Sequence, residues 1–180
     1  MLIRAEQSVL IVVDLQERLV PAVEAPETTV RNTGILIQAA KRLEVPVVVS
    51  EQYPKGLGPT VPDLRILSDG CQVFDKTYFS CADDPAIEKA IDDIGRRQMI
   101  IAGTEAHVCV LQTAGRLLER GFEIFVVADA ASSRAVADRD LAFQRLSAAG
   151  AALVSTEMVV FEWLGRAGTP EFKDLQALIK

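Results

Sequence analysis

Short runs of apolar, largely β-branched residues recur along the chain, and longer segments with helical spacing separate them. The first run, SVLIVV at Ser8–Val13, is apolar at nearly every position, which is typical of a strand buried on both faces of a sheet. Such strands belong to parallel sheets that carry helices on each side and right-handed crossovers between strands. The sequence therefore predicts an α/β fold, a three-layer α/β/α sandwich with a doubly wound, mostly parallel, six-stranded Rossmann-like sheet. The predicted strands cover residues 8–13, 47–50, 72–74, 98–102, 123–128 and 152–155.

Helical patterns occupy the segments between these strands. The stretch 51–62, EQYPKGLGPTVP, is the exception, because its prolines and glycines predict a structured loop. The chain has 180 residues and no repeat or low-complexity linker, so we expect one domain spanning residues 1–180. The predicted helices cover residues 28–43, 85–94, 108–120, 138–149, 157–164 and 170–179.

Charge and composition exclude several classes of function. The formal net charge is −6, which repels phosphate backbones and argues against a nucleic-acid partner. The single histidine, His107, cannot build a histidine-rich metal site, and we expect neither a metal nor a cofactor. The three cysteines are odd in number and not closely spaced, which favours reduced thiols in a cytoplasmic protein. No signal peptide and no apolar run of the roughly 20 residues that a membrane span needs is found, so no membrane partner is expected.

Reactive side chains follow three of the predicted strands at the point where each strand ends. Asp14 follows the first strand, and Asp75 and Lys76 follow the third. Cys109 lies after the fourth strand. A turn is predicted to open at Gly103, and Cys109 follows it, where a helix begins. Because the ligand crevice of a doubly wound sheet lies beyond the carboxyl ends of its strands, we expect these side chains to meet there.

These residue types suit acyl transfer. A thiol at a helix N-terminus is stabilised as the thiolate by unpaired N–H groups, and an ammonium such as Lys76 lowers its pKa further. The same N–H groups can hold an oxyanion, and a carboxylate such as Asp14 can take the thiol proton and return it to a leaving amine. Each of these residues, taken singly, also fits a structural role. Cys109 fits a small buried hydrophobic residue, Asp14 fits a helix cap, and Lys76 fits a solvated side chain.

Three segments carry a family resemblance. VVDLQ (residues 12–16), DKTYFSC (75–81) and AGTEAHVCVLQTA (102–114) occur in this order and resemble the isochorismatase-like cysteine hydrolases over nearly the whole chain. EQYPKGLGPTVP and the tail GTPEF (168–172) are similar to the isochorismatase domain-containing subgroup, whose substrates are poorly defined.

The resemblance implies a site and an assembly. It places an Asp-Lys-Cys triad on Asp14, Lys76 and Cys109. It further implies a non-proline cis peptide between Thr104 and Glu105, and an oxyanion hole made by the backbone N–H groups of Glu105 and Cys109. It also implies a homo-oligomer, as a dimer, tetramer or octamer.

Two departures from the family narrow the expected chemistry. Where the nicotinamidase branch carries an Asp/His metal set, this chain has SEQYP (residues 50–54) without histidine, which argues against a metal-bound nicotinamidase. Isochorismatases that cleave a vinyl ether typically lack the nucleophilic cysteine, so Cys109 favours C–N hydrolysis. The leading hypothesis is a hydrolase of a small amide, ureide or similar compound through a thioester on Cys109.

Four further residues are expected around the crevice. Tyr53 and Phe79 form aromatic walls or else belong to the core, and Glu51 binds a cationic or amine group of a small-molecule substrate. His107 acts as a base or contacts the substrate.

Two other classes of function stay open at this point. One is a non-catalytic scaffold on a hydrolase fold. The other is a thiol redox sensor, which needs a resolving cysteine close to Cys109. Cys71 and Cys81 lack a helix-start setting and are interpreted as structural.

Overall fold

The computed structural model describes residues 1–179, and its centre is one parallel sheet. Within those residues the sheet has six strands in the order β3-β2-β1-β4-β5-β6. The direction of winding therefore reverses between β1 and β4, which is where a doubly wound sheet opens its crevice. The strands are β1 (Ser8–Val13), β2 (Val47–Gln52), β3 (Gln72–Lys76), β4 (Gln98–Thr104), β5 (Glu123–Ser132) and β6 (Ala152–Val154).

Helices cover both faces of the sheet and explain the apolar strands. Successive side chains of a strand point to opposite faces. The helices are α1 (Pro26–Arg42), α2 (Pro54–Leu57), α3 (Pro62–Leu67), α4 (Pro85–Ile94), α5 (Leu111–Glu119), α6 (Val136–Ala148), α7 (Thr156–Leu164) and α8 (Pro170–Gln176). In β1, Leu10 and Val12 pack towards α1, α3, α7 and α8, whereas Val9 and Ile11 pack towards α4, α5 and α6.

Four strands extend further than their apolar patterns indicate, and β4 is one of them, running two residues past its predicted end to Thr104. β2 continues through Glu51 to Gln52, and β3 includes Asp75 and Lys76, which we expected to follow the strand. β5 runs four residues past its predicted end, to Ser132. These polar ends are held by the ladder, because Lys76 pairs in register with Gln52.

The segment after β4 departs most from the expectation. Gly103 lies inside β4 rather than opening a turn, and a π-helix (Ala106–Val110) precedes α5. A Cβ on Gly103 would lie 2.0 Å from the carbonyl oxygen of Val13, so only glycine lets β1 and β4 run this close.

The stretch expected to be a loop is partly helical. It contains α2 and leads into α3, a helix that the sequence patterns did not predict. Gln16 holds this stretch, because its side-chain amide donates to the carbonyls of Gln52 (3.0 Å) and Gly58 (2.7 Å). None of the described helices combines the length and the apolar character needed to cross a bilayer.

Candidate active site

Asp14 stands directly after β1, between the ends of both neighbouring strands. Its backbone is left-handed, with φ 50°, a conformation that Asp tolerates better than most residues. Its N–H donates to the carbonyl of Ser50 (3.1 Å), and the hydroxyl of Thr104 donates to its carbonyl (2.7 Å). The backbone of Asp14 is therefore fixed from β2 and from β4.

The carboxylate of Asp14 forms a buried ion pair with Lys76. Lys76 Nζ lies 2.7 Å from Asp14 Oδ2, and both side chains are 0% exposed. The Ser50 hydroxyl donates to the other carboxylate oxygen, Oδ1, at 2.7 Å. Lys76 also donates to Gln52 Oε1 at 2.6 Å and lies 3.2 Å from the carbonyl oxygens of Tyr78 and Phe79. The ammonium is thus surrounded by acceptors and neutralised within the protein.

Cys109 lies beside this pair, in the π-helix. The residue is only 5% exposed, its thiol donates to Gln52 Oε1 across 4.0 Å, and the charge of Asp14 acts on it. The Glu105 carbonyl accepts from the amides of Val108 and Val110 rather than from that of Cys109. Single π-turns of this kind are frequent at functional sites. The structure therefore brings together the three side chains expected to form the triad.

The ionisation of Cys109 differs from the expectation. We expected Lys76 and the helix start to lower the pKa of the thiol. Burial, followed by the nearby charge of Asp14, instead raises the pKa of Cys109 well above its usual range. The charge of Lys76 opposes this shift but does not outweigh it, because Lys76 is paired with Asp14. Burial and the nearby carboxylate therefore both favour the protonated form of the Cys109 thiol.

The two charged partners are also shifted. Burial raises the pKa of Asp14, against the opposing effects of Lys76 and of the Ser50 hydroxyl. Burial acts to lower the pKa of Lys76, but the charge of Asp14 and the two nearby thiols hold it above its usual value. A carboxylate with a raised pKa is better matched to accept a proton near neutrality than an exposed one.

The turn before the π-helix has the expected backbone. The peptide between Thr104 and Glu105 is cis. The Glu105 side chain turns towards the end of β5, where its Oε1 accepts from Nε of Arg134 at 2.8 Å. The main chain and the side chain of Glu105 thus face different parts of the same edge.

The residues expected around the substrate are placed differently from one another. Tyr53 and Phe79 are each more than half exposed, so they belong to the rim of the site and not to the core. Glu51 is buried, and its Oε1 accepts from the amide and the hydroxyl of Thr60, both at 2.7 Å. Glu51 therefore anchors the loop through Thr60, instead of contacting a substrate as we expected.

His107 is turned away from the nucleophile. Its Nδ1 lies 2.9 Å from the hydroxyl of Ser133, and its ring lines a cleft of about 770 Å³ between α5 and α6, together with Arg145. Neither Asp14 nor Cys109 contacts the ring by hydrogen bond, which removes the geometric basis for His107 as their base.

Several site residues had no signal in the sequence patterns. Ser50 and Gln52 contact the triad, but Gln52 falls in the stretch that resembles a loop and Ser50 looks like the ordinary end of a strand. Cys81 is fully buried beside them, with its sulfur 3.4 Å from the Ser50 hydroxyl and its amide donating to Thr113 of α5. Burial raises the pKa of Cys81. Among residues 1–179 no group of three His, Cys, Asp or Glu side chains is arranged to hold a metal ion.

The fold and the site together define a class of protein. It is a doubly wound α/β domain with a cysteine at the crevice of its parallel sheet and a buried Asp–Lys pair beside that cysteine. A family model described as the isochorismatase domain matches residues 8–158. The chain belongs to the isochorismatase family, within the isochorismatase-like hydrolase superfamily.

Known relatives agree with this assignment. The chain is 40% identical over 173 residues to isochorismatase domain-containing protein 2 of Xenopus laevis, covering 96% of this chain and 83% of that protein. The structure of MAR1 ribonuclease from Caenorhabditis elegans is 41% identical with a TM-score of 0.91, covering 99% of this chain and 92% of the other. The YcaC gene product of Escherichia coli, described as an octameric hydrolase of unknown specificity, is 27% identical with a TM-score of 0.93, covering 99% and 90%.

Proposed function

We propose that this protein is a cysteine-dependent hydrolase of a small amide or related C–N compound, acting through a thioester. One observation carries the proposal: the Cys109 thiol lies beside a carboxylate that is itself paired, in a buried site, with an ammonium. Asp14, Lys76 and Cys109 are the proposed catalytic residues. No cofactor is required for this chemistry.

The first half of the reaction makes the thioester. Asp14 removes the thiol proton as the sulfur of Cys109 attacks the carbonyl carbon, so a free thiolate need not accumulate. The oxyanion that develops is bound by the backbone N–H groups of Glu105 and Cys109. When the tetrahedral species collapses, the C–N bond breaks and Asp14 returns its proton to the leaving nitrogen.

The second half regenerates the enzyme. Asp14 takes a proton from water, the resulting hydroxide attacks the thioester carbonyl, and the sulfur leaves and regains its proton from Asp14. Lys76 remains charged throughout. Its four acceptors hold the ammonium in one place, which orients the Asp14 carboxylate and limits the rise of its pKa.

Size and surroundings favour a small substrate. The nucleophile is nearly buried, and Tyr53 and Phe79 stand exposed at the rim, where they supply apolar walls. The net charge of −6 does not favour an extended polyanion, so we do not extend to this chain the ribonuclease activity for which the C. elegans protein is named. The cysteine likewise favours C–N hydrolysis over cleavage of an isochorismate-type ether.

Two further properties are part of the proposal. The protein acts in the cytoplasm, which its three free cysteines support. It forms a homo-oligomer (dimer, tetramer or octamer), which the octameric description of the E. coli relative supports. Size-exclusion chromatography with light scattering tests the assembly, and a single monomeric species would contradict it.

Acyl trapping tests the nucleophile. The protein is incubated with a panel of small amides, carbamates and ureides, quenched in acid and analysed by intact and peptide mass spectrometry. We expect an acyl adduct on Cys109 and loss of turnover in Cys109→Ala, with turnover retained in the matched variant Cys71→Ala. Undiminished turnover in Cys109→Ala refutes the mechanism. Absence of any adduct, together with a tight protein partner, favours a scaffold instead.

A further inference from the structure

Arg134 occupies a position next to the proposed oxyanion hole. Ser132, the last residue of β5, pairs in register with Thr104, the last residue of β4. Arg134 follows two residues later and therefore lies alongside Glu105, whose amide is one of the two proposed oxyanion donors. An arginine is thus located at the carboxyl edge of the sheet, in contact with the residue whose amide is one of the proposed oxyanion donors.

The contact between the two residues orients the guanidinium. Nε of Arg134 donates to Glu105 Oε1 at 2.8 Å, and the backbone amide of Arg134 approaches the same oxygen at 3.3 Å. The Glu105 side chain is 11% exposed, whereas that of Arg134 is 63% exposed. The buried carboxylate therefore fixes the inner nitrogen of the guanidinium and leaves the rest of the group facing solvent.

The outer edge of this guanidinium is unoccupied. Within residues 1–179 its terminal nitrogens Nη1 and Nη2 make no hydrogen bond. Two other arginines use theirs structurally: Arg96 donates from Nη1 to two backbone carbonyls, and Arg120 donates from Nη2 to Asp92. The free edge of Arg134 presents two parallel N–H donors, the geometry that matches a carboxylate.

We propose that Arg134 determines substrate specificity by binding a carboxylate on the substrate, so that the preferred substrates are small amides bearing one negative charge. This inference rests on the proposed function and names its substrate class. A monoanion suits the site better than a phosphate, because the carboxylates of Glu105 and Asp138 already face the guanidinium and oppose a second negative charge. Glu105 is then a positioning residue through its side chain and an oxyanion donor through its backbone.

A pair of alkylating probes tests this inference without a known substrate. N-chloroacetylglycine carries a carboxylate beyond an amide, and its methyl ester is the neutral counterpart. With either probe the Cys109 sulfur forms a C–S bond as the C–Cl bond breaks, chloride leaves and Asp14 takes the thiol proton. The readout is the second-order rate of Cys109 modification by mass spectrometry, each rate divided by that of the same probe with N-acetylcysteine.

The expected result is a preference for the charged probe. In the unmodified protein the normalised ratio of acid to ester rates should be at least about tenfold, against the direction that the net charge of −6 alone would produce. Arg134→Gln should reduce the ratio to about one, and Arg134→Lys should retain part of it because the charge remains without the planar fork. Arg166→Gln removes the same charge from the exposed loop after α7 and should leave the ratio unchanged.

The outcomes separate this inference from the proposed function. A ratio near one in the unmodified protein, or an unchanged ratio in correctly folded Arg134→Gln, overturns the role of Arg134. A preference that depends on Arg134 supports it. If no amide acylates Cys109 while that preference persists, the hydrolase proposal fails and the anion-binding role of Arg134 stands.

Discussion

Replacing Gly103 by alanine perturbs the point where β1 and β4 run closest together. The added Cβ would lie 2.0 Å from the carbonyl oxygen of Val13 and 2.7 Å from its backbone carbon and nitrogen. The φ of Gly103 is +130°, a conformation that residues with a Cβ rarely adopt. Since all three neighbours are backbone atoms, no side chain can move aside, and the strand ends must separate.

The expected loss of stability follows from two contributions. Forcing a residue with a Cβ into an unfavourable backbone conformation costs about 1–3 kcal/mol. Overpacking a well-filled interior costs about 1–3 kcal/mol more. We therefore expect Gly103→Ala to lower the free energy of unfolding by about 2–6 kcal/mol, a large part of the roughly 5–15 kcal/mol of a typical domain.

The same movement affects the site. Val13 directly precedes Asp14, and Gly103 is separated from Glu105 by Thr104 alone, so separation of the strands displaces both the carboxylate and the proposed oxyanion donor. A displacement of about 1 Å is enough to reduce turnover roughly 100-fold. Urea denaturation measures the stability, and the rate of Cys109 alkylation by iodoacetamide reports on the site without requiring a substrate.

Gly115 provides the matched control. It lies in α5, and a methyl group added there would have no atom within 4 Å, so alanine at this position removes only the helix penalty of glycine. Gly115→Ala should therefore stabilise the protein by up to about 1 kcal/mol. If Gly103→Ala matches the unmodified protein in both stability and Cys109 reactivity, the argument from close backbone approach is wrong.

Three further predictions concern buried charge. Lys76→Met should destabilise the fold by about 3–5 kcal/mol in urea titrations because it leaves Asp14 unpaired. The control Lys89→Met removes an exposed partner of a surface ion pair and should change stability by less than about 0.5 kcal/mol, so equal effects would contradict the inferred burial of Lys76. Because burial raises the pKa of Asp14 and the carboxylate must be ionised to accept the thiol proton, kcat/KM should rise with pH through a midpoint above 3.8, and a profile already flat at that pH would exclude Asp14 as the base. Glu51→Ala should destabilise the protein by about 1–3 kcal/mol by leaving the buried amide and hydroxyl of Thr60 without their acceptor, and hydrogen exchange should show faster exchange at Thr60; unchanged protection there would argue against the anchoring role.

The regular core of the fold could be predicted because its signals are local. β1 and α4 have the bounds that their apolar and helical patterns indicate, and the six-stranded sandwich is confirmed. The ends of β2 and β3 could not be predicted in the same way. Their last residues are polar and resemble a loop, and they join the sheet only because a neighbouring strand supplies backbone partners.

The site could be predicted in composition but not in its electrostatics. Asp14, Lys76 and Cys109 meet because the carboxyl ends of parallel strands share one edge. The pKa of the Cys109 thiol depends on how deeply the thiol is buried and on which group Lys76 pairs with. Neither property can be read from the local sequence. The same reason explains why Gln52 and the turned position of His107 were missed.

The separation between a sealed Asp14–Lys76 pair and an exposed rim has a consequence for divergence within the family. Exchanges at Tyr53, Phe79 and Arg134 touch solvent-facing groups, and surface changes of this kind typically alter stability by no more than about 0.5 kcal/mol. Loss of either partner of the inner pair is far more damaging. Related chains can therefore exchange these exposed residues, and with them the compounds that they bind, while the buried Asp14–Lys76 pair is retained.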